Sequence, residues 1–350
     1  MPAERSEAMS RAALHRSLGD CILMGVPQRI TEVTALLAAM LAPRAPLTVI
    51  VDGGDPGAAA VFAAKLAAAF PASSRAWNID AVLGLTGPGA DGFDSALNVL
   101  EPATDQILVY LRGGPRNRFA AGDGENRAQV VIDHRDPEWP VIRHVHPSLA
   151  DPDRWYLSES RAFFAARAAN WDVKFGDDLP AYAKAVQDSG VRPGDVVLDV
   201  GCGTGRALPA LAGAVGPAGR VLGLDFTPDM LIEAGRVGRD SAAALIVADA
   251  RRLPVADGVA DVIFAAGLVN HLPDPAAGLA ELARATRGGG RLALFHPIGR
   301  AALATRHGRM LRPDEPLGEA RLGPLLAGAG WVLTSYEDGD NRFLALATRL

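Results

Sequence analysis

The chain has 350 residues and carries 40 acidic against 35 basic side chains, for a formal net charge of −5. That length allows two domains of about 100 to 200 residues, and the acidic balance lacks the clustered Lys and Arg that nucleic acids select, so nucleic acid is excluded as a partner. No run of about 18 uncharged apolar residues occurs, and the Met1–Glu7 start has no charged-then-apolar leader, so a cytoplasmic protein without a membrane partner is expected. Cys21 and Cys202 cannot make a disulfide framework, and no Cys or His cluster has zinc spacing, so no metal is expected.

Residues 1 to 26 suggest no element. From Thr31, a cap residue by type, Val33, Leu36, Leu37, Met40 and Leu41 recur at helical spacing until Pro43. Leu47 to Val51 reads as a short buried strand that runs into Asp52-Gly53-Gly54-Asp55-Pro56-Gly57, followed by a helix over Val61 to Phe70. Strand, glycine loop and helix resemble the P-loop of uridine kinase-like nucleoside kinases. Laid on Gly53, however, the pattern G-x-x-x-x-G-K-[ST] puts Ala58, Ala59 and Ala60 where Gly, Lys and Ser or Thr belong. Three alanines can neither meet phosphates nor hold Mg²⁺, and Lys65 is a turn too deep to substitute. Weaker echoes follow at Trp77–Asp80 and Gln129–Asp133. The resemblance implies a small, degenerate and non-catalytic α/β domain over residues 1 to 145. Pro140, Pro147 and Pro152 discourage regular structure between Pro137 and Asp153, which places a linker at 146 to 154.

Helical patterns resume over Ser158 to Trp171 and Leu179 to Ser189. Trp155, Tyr156, Trp171 and Phe175 form an aromatic group ahead of the next strand. Val196 to Arg206 is an apolar run breaking into glycines: Asp199 stands two residues before Gly201, and Gly203 and Gly205 follow. Glycines there let the backbone turn tightly beside a ligand, with a helix N-terminus next in line. A second strand, Val221 to Leu224, ends at Asp225, placed to accept from both hydroxyls of a ribose. Further strands are expected to end at Val247-Ala248-Asp249-Ala250, to run over Val262 to Ala266, and to run over Arg291 to Phe295 after a Gly288–Gly290 turn. Trp331 to Tyr336 and Arg342 to Thr348 read as an antiparallel hairpin, with a helix over Leu322 to Ala329 before it.

Taken together, residues 155 to 350 resemble the class I S-adenosylmethionine-dependent methyltransferases. The resemblance implies a Rossmann-like α/β fold, a parallel sheet closed by a C-terminal antiparallel hairpin, with S-adenosylmethionine as cofactor. It implies cofactor contacts from Asp199, Gly201, Cys202, Gly203, Gly205, Asp225, Phe226, Asp249, Ala250 and Ala266. A dinucleotide fingerprint would need glycine where Arg206 stands. A nicotinamide-dependent oxidoreductase, or a nucleoside kinase acting through the first domain, are the alternatives. Methyl transfer needs a base only when the acceptor arrives protonated; His296 and then His271, each following a strand's carboxyl end, are the candidates. The expected acceptor is O or N of a small or medium-sized metabolite, a natural product or peptide included, and a homodimer is compatible with the extra domain.

Overall fold

The computed structural model describes residues 27–44, 47–70, 77–81, 106–113, 128–306, 311 and 315–350. The unassigned first 26 residues, with Cys21, and the side chains of the Trp77–Asp80 kinase echo lie outside the described residues. The chain divides into two units, residues 1–155 and 156–350. No described helix is long and apolar enough to cross a membrane.

The first unit begins with helix α1 (Pro27–Leu41), followed by β1 (Leu47–Gly53), α2 (Pro56–Ala69), β2 (Trp77–Ala81), β3 (Gln106–Arg112), β4 (Val130–Asp133) and β5 (Val141–Val145). Helix α1 starts four residues before the expected Thr31 cap. Proline opens it at Pro27, where a missing N–H costs nothing, and Val33, Leu37, Met40 and Leu41 form its buried stripe. The sheet order is β2-β1-β3-β4-β5, with β1 parallel to β2 and β3, β3 parallel to β4, and β5 antiparallel to β4. Strand β5 corrects the expectation of irregular chain between Pro137 and Asp153. Pro140 and Pro147 bracket the apolar run rather than interrupt it, and an edge position tolerates them. Residues 146–155 belong to this unit, with Leu149 and Ala150 buried.

The second unit opens with α3 (Tyr156–Ala168), α4 (Trp171–Phe175) and α5 (Leu179–Asp188), then alternates β6 (Val196–Val200), α6 (Leu208–Val215), β7 (Arg220–Asp225), α7 (Pro228–Arg236), β8 (Ala244–Val247), β9 (Ala260–Ala266), α8 (Pro275–Ala285) and β10 (Thr286–His296). Helices α9 (Arg300–Arg306) and α10 (Glu319–Gly328) precede the closing hairpin of β11 (Trp331–Asp338) and β12 (Phe343–Arg349). Its sheet runs β11-β12-β10-β9-β6-β7-β8, parallel from β10 to β8 and antiparallel through β12 and β11. Alternation along each central strand fills both faces: Leu198, Ile263 and Leu294 pack with Leu279 of α8 and Leu326 of α10, while Val197, Phe264 and Phe295 pack with Val186 of α5 and Leu211 of α6.

Gly288–Gly290, expected as a turn before the fifth strand, lies inside β10, whose register against β9 shifts between Thr286 and Arg291. The φ of +71° at Gly289 and the 2.5 Å that a Cβ on Gly290 would leave to Thr286 Cγ2 explain why the bulge needs glycine. Chain order moves outward from β6 to β8, then returns across β6 to β9. The carboxyl ends of β6 and β9 therefore flank the switch point at which open α/β sheets bind ligands.

Candidate active site

Asp199 and Ala266 stand at the two strand ends that define this crevice, and the glycine loop follows Asp199. Gly201, Gly203 and Gly205 all have positive φ (74°, 56° and 78°), which a side chain would strain. Leu224 O accepts from both Gly201 N–H (2.7 Å) and Cys202 N–H (3.1 Å), fixing the loop to the end of β7. A Cβ on Gly203 would meet nothing within 4 Å, so the loop leaves open space beside it. Cys202 is buried, its sulfur close to the backbone of Gly223, and burial pushes its thiol up.

Asp225 accepts from Gly203 N–H at 2.9 Å and from Thr227 N–H at 2.8 Å. The residue expected to meet a ribose also holds the glycine loop. Burial nevertheless raises its carboxyl above the ordinary range, although both backbone donors oppose the shift. Asp199 lies deeper, 1% exposed, and neither of its side-chain oxygens has a hydrogen-bond partner. Burial first and the Asp225 charge second push it up to about 8. Two carboxyl groups sharing an apolar pocket disfavour joint ionisation.

Asp249 follows β8 and is held by Arg251 through Nε (3.0 Å) and Nη2 (2.8 Å). Neighbouring Ala250 is buried. Phe226 is buried, with ring centroids 6.0 Å from Tyr156 and 6.1 Å from Phe164. Phe164, which the sequence pattern does not single out, is the hub of the aromatic group, touching Phe163, Trp171, Phe226 and His271. Trp171 and Phe175 pair at 4.7 Å, whereas Trp155 falls in the first unit.

The two candidate bases have different surroundings. His271 packs edge-on to Phe164 at 5.2 Å. His296, the last residue of β10, lines a small cleft together with Leu268, Val269, Asn270, Phe295, Ile298 and Arg300. His296 Nδ1 lies 2.8 Å from Ile298 O and 3.1 Å from Ile298 N. The carbonyl contact needs a proton on Nδ1 and the N–H contact needs a lone pair there, so the Nε2 lone pair is available only in the tautomer that keeps the bond to the Ile298 carbonyl. Burial lowers the imidazole's pKa despite the Ile298 bond, so the ring is neutral near pH 7. Its Cδ2 edge would lie 3.8 Å from a Cβ on Gly267, at the end of β9.

Sequence reasoning missed the network around Arg206, which it read only as a missing glycine. Arg206 is 5% exposed; its Nε donates to Asp178 Oδ1 (2.7 Å), Nη2 also pairs with Asp178 and donates to Gly176 O (2.6 Å), and Nη1 reaches Asp172 (3.1 Å). Thr204 Oγ1 donates to Asp172 at 2.7 Å, and Arg239 pairs with Asp172 at 2.7 Å. Thr204, Arg206 and Arg239 thereby fasten the α4–α5 segment to the glycine loop. No local motif could have flagged it, since the partners are 28 and 34 residues apart.

Residues 198–294 match a family described as a methyltransferase domain. An uncharacterised 37.1 kDa protein in transposon Tn4556 of Streptomyces fradiae is 38% identical over 123 residues, 35% of this chain and 36% of that protein. Demethylmenaquinone methyltransferase of Staphylococcus aureus (strain JH9) is 38% identical over 112 residues, 31% of this chain and 45% of that protein. The matched stretch is less than half the length of either curated relative. Among solved structures, a SAM-dependent methyltransferase from Aquifex aeolicus is 27% identical with a TM-score of 0.41, covering 48% of this chain and 89% of its own. Residues 198–294 are thus similar to a methyltransferase domain, a likeness that agrees with the sequence resemblance, which implies S-adenosylmethionine as the ligand. The residues present fit such a ligand: the loop at Gly203 has room, and the orphaned carboxyl of Asp199 suits a net-cationic molecule.

Proposed function

We propose that the protein transfers a methyl group from S-adenosylmethionine to an oxygen or nitrogen of a small or medium-sized metabolite, with His296 as proton acceptor. The donor supplies a methyl carbon already activated as a sulfonium, so the protein's task is mainly orientation. Gly201, Gly203, Gly205, Asp199, Asp225 and Asp249 hold the donor, and the cleft beside His296 holds the acceptor. The observation that carries the reading is His296 itself: a neutral imidazole in an apolar cleft, its Nδ1 against the Ile298 carbonyl and its opposite edge beside Gly267 at the switch point. There it takes the proton that an acceptor hydroxyl or ammonium must lose. The acceptor class rests on this cleft and on the absence of a basic footprint in the sequence.

The test combines binding with turnover. Calorimetry is expected to give saturable heat with S-adenosylhomocysteine and none with NAD; the reverse result removes the reading. For an acceptor found by screening phenols and amines with labelled donor, His296→Ala is expected to keep S-adenosylhomocysteine affinity while kcat falls by roughly 10² to 10⁴. An unchanged kcat assigns the reaction to orientation alone.

A further inference from the structure

The cleft beside His296 has a volume of about 20 Å³, room for little more than one water. It admits the reacting atom of an acceptor, and the body to which that atom belongs lies at the mouth. Six side chains follow one another around this mouth. His271 is next in the chain to Asn270, which lines the cleft, and packs edge-on to Phe164 at 5.2 Å. Phe164 meets Trp171 at 5.8 Å, Trp171 meets Phe175 at 4.7 Å, and the guanidinium of Arg306 sits 5.5 Å from the centre of the Phe175 ring. Helix α9 closes the circuit: Arg300 and Leu303 line the cleft, and Arg306 comes three residues further on the same face. Its charge reaches His296, whose pKa is lowered by burial first and by Arg306 in the same direction.

These side chains reach solvent where the cleft does not. Phe164, Trp171, Phe175 and His271 are half-buried and Arg306 is exposed, as is Lys174, whose ammonium lies 5.7 Å from the same Phe175 ring. The mouth therefore has an aromatic wall with two cations at one end, while at the other Phe164 touches Phe226 beside Asp225. An aromatic ring packs offset or edge-on against such a wall, and paired cations favour a negative charge beside them.

We propose that this mouth is the acceptor site, and that the acceptor is an aromatic carboxylate carrying the hydroxyl to be methylated, its ring against Phe164, Trp171 and Phe175 and its carboxylate at Arg306 and Lys174. The proposal rests on the methyl-transfer reading above and narrows its acceptor. Only the hydroxyl enters the cleft at His296. A carboxylate taken into that apolar space would lose its water without gaining a partner, so it stays at the exposed cations. In the step, the acceptor oxygen forms a bond to the methyl carbon, the carbon–sulfur bond breaks with its electron pair going to sulfur, and the hydroxyl proton passes to His296.

The test titrates matched ligand pairs into the full chain saturated with S-adenosylhomocysteine: 4-hydroxybenzoate with 4-hydroxybenzamide, and 4-hydroxycinnamate with its primary amide. Each pair keeps the ring, the hydroxyl and a carbonyl, and differs in charge. The wild-type protein is expected to favour the acid by about fivefold in at least one pair at about 0.01 M salt, with a ratio near one at about 1 M. Arg306→Gln combined with Lys174→Gln is expected to bring the low-salt ratio close to one while the amide binds as before. Phe175→Leu is expected to weaken acid and amide alike. Equal binding of acid and amide by the wild type overturns the proposal. So does a preference for the acid that survives the double substitution, or a loss of both ligands together in that variant, which would mark the cations as merely structural. A Phe175→Leu variant that binds both as the wild type does overturns the placing of the ring. Binding of S-adenosylhomocysteine without any of the phenols removes the acceptor proposal alone, whereas failure to bind S-adenosylhomocysteine removes the methyl-transfer reading beneath it.

Discussion

Asp199 is a carboxyl that water barely reaches and that no donor in the described structure touches. With its pKa raised to about 8 by burial and by Asp225, it holds a proton at neutral pH in the ligand-free protein. Cys202 in the loop is the other titratable group that feels both carboxylates, and Tyr182 of α5, pushed up chiefly by burial, feels Asp199 from the helix side. The sign follows directly. Between the unfolded value of 3.8 and about 8 the folded chain binds a proton that the unfolded chain has released, so this group's contribution to stability falls as pH rises through that window. Asp199→Asn is therefore expected to raise the melting temperature of donor-free protein at pH 8 by roughly 2–4 °C per kcal/mol gained, with little change at pH 4. Donor binding, which brings positive charge to this pocket, is expected to release a proton, so affinity for S-adenosylmethionine climbs from pH 6 to pH 8. Titration calorimetry in buffers of different ionisation enthalpy measures that release; heats independent of the buffer would mean that Asp199 is already ionised. The position and type of this residue were legible in the sequence. Its protonation was not, because that depends on complete burial and on the absence of donors, which only packing decides.

At the scale of elements, the α4–α5 segment is held by charges as well as by the packing of Val186 and Trp171. Asp172 has burial working against its ionisation, but the Thr204 hydroxyl and the guanidiniums of Arg239 and Arg206 outweigh it and keep the carboxyl below its ordinary range. At Asp178 burial wins and the carboxyl is raised, although Arg206 opposes the shift. Removing one partner from a buried ionic network leaves the others uncompensated, at a cost of about 3 to 5 kcal/mol. Asp172 is partly exposed, with 31% of its side chain in solvent, so the lower end of that range applies to Arg206→Met: about 3 kcal/mol in urea unfolding, with faster amide exchange over residues 171–178. A loss below about 0.5 kcal/mol, the scale of a screened surface pair, would show that the network does not fasten the segment. The contrast with the sheet explains what sequence could and could not supply. The strands of the second unit were legible because their apolar runs end at glycines or acids in a fixed order. Strand β5 was obscured by flanking prolines, the Gly288–Gly290 bulge was mistaken for a turn because glycine serves both, and Arg206 was seen as a lost glycine because its partners come from another helix pair.

For the molecule as a whole, the two units carry glycine loops that differ in what lies before the following helix. In the second unit the loop leaves space at Gly203 and presents an orphaned carboxyl. In the first, the N-terminus of α2 is capped from within: Asp55 Oδ1 accepts from Gly57 N–H at 2.9 Å and Ala58 N–H at 3.1 Å. Those are the N–H groups at a helix start that would otherwise suit an anion, and a fixed carboxylate repels phosphate from them. A Cβ on Gly53 would lie 2.7 Å from Leu111 O, and one on Gly54 2.7 Å from Gly113 O, so backbone approach within the sheet is itself a reason for both glycines. The residues at the positions a kinase would use for phosphate and Mg²⁺ are Ala58, Ala59 and Ala60, and Lys65 is exposed further along α2. We therefore propose that the first unit keeps a kinase-like strand–loop–helix arrangement without phosphotransfer. Incubation of the full chain with ATP, Mg²⁺ and a nucleoside panel is expected to give no nucleotide product above a blank, and ATP with Mg²⁺ is expected to leave the melting temperature unchanged. Asp55→Gly removes the internal anion while leaving the glycine-rich backbone intact. If capping by Asp55 is what excludes phosphate, this variant should gain weak, salt-sensitive ATP binding and still show no turnover, because no side chain at positions 58–60 can neutralise the charge that develops on the transferred group. Turnover by either protein would show that a residue outside this loop supplies that charge, and would restore the first unit as a catalytic domain.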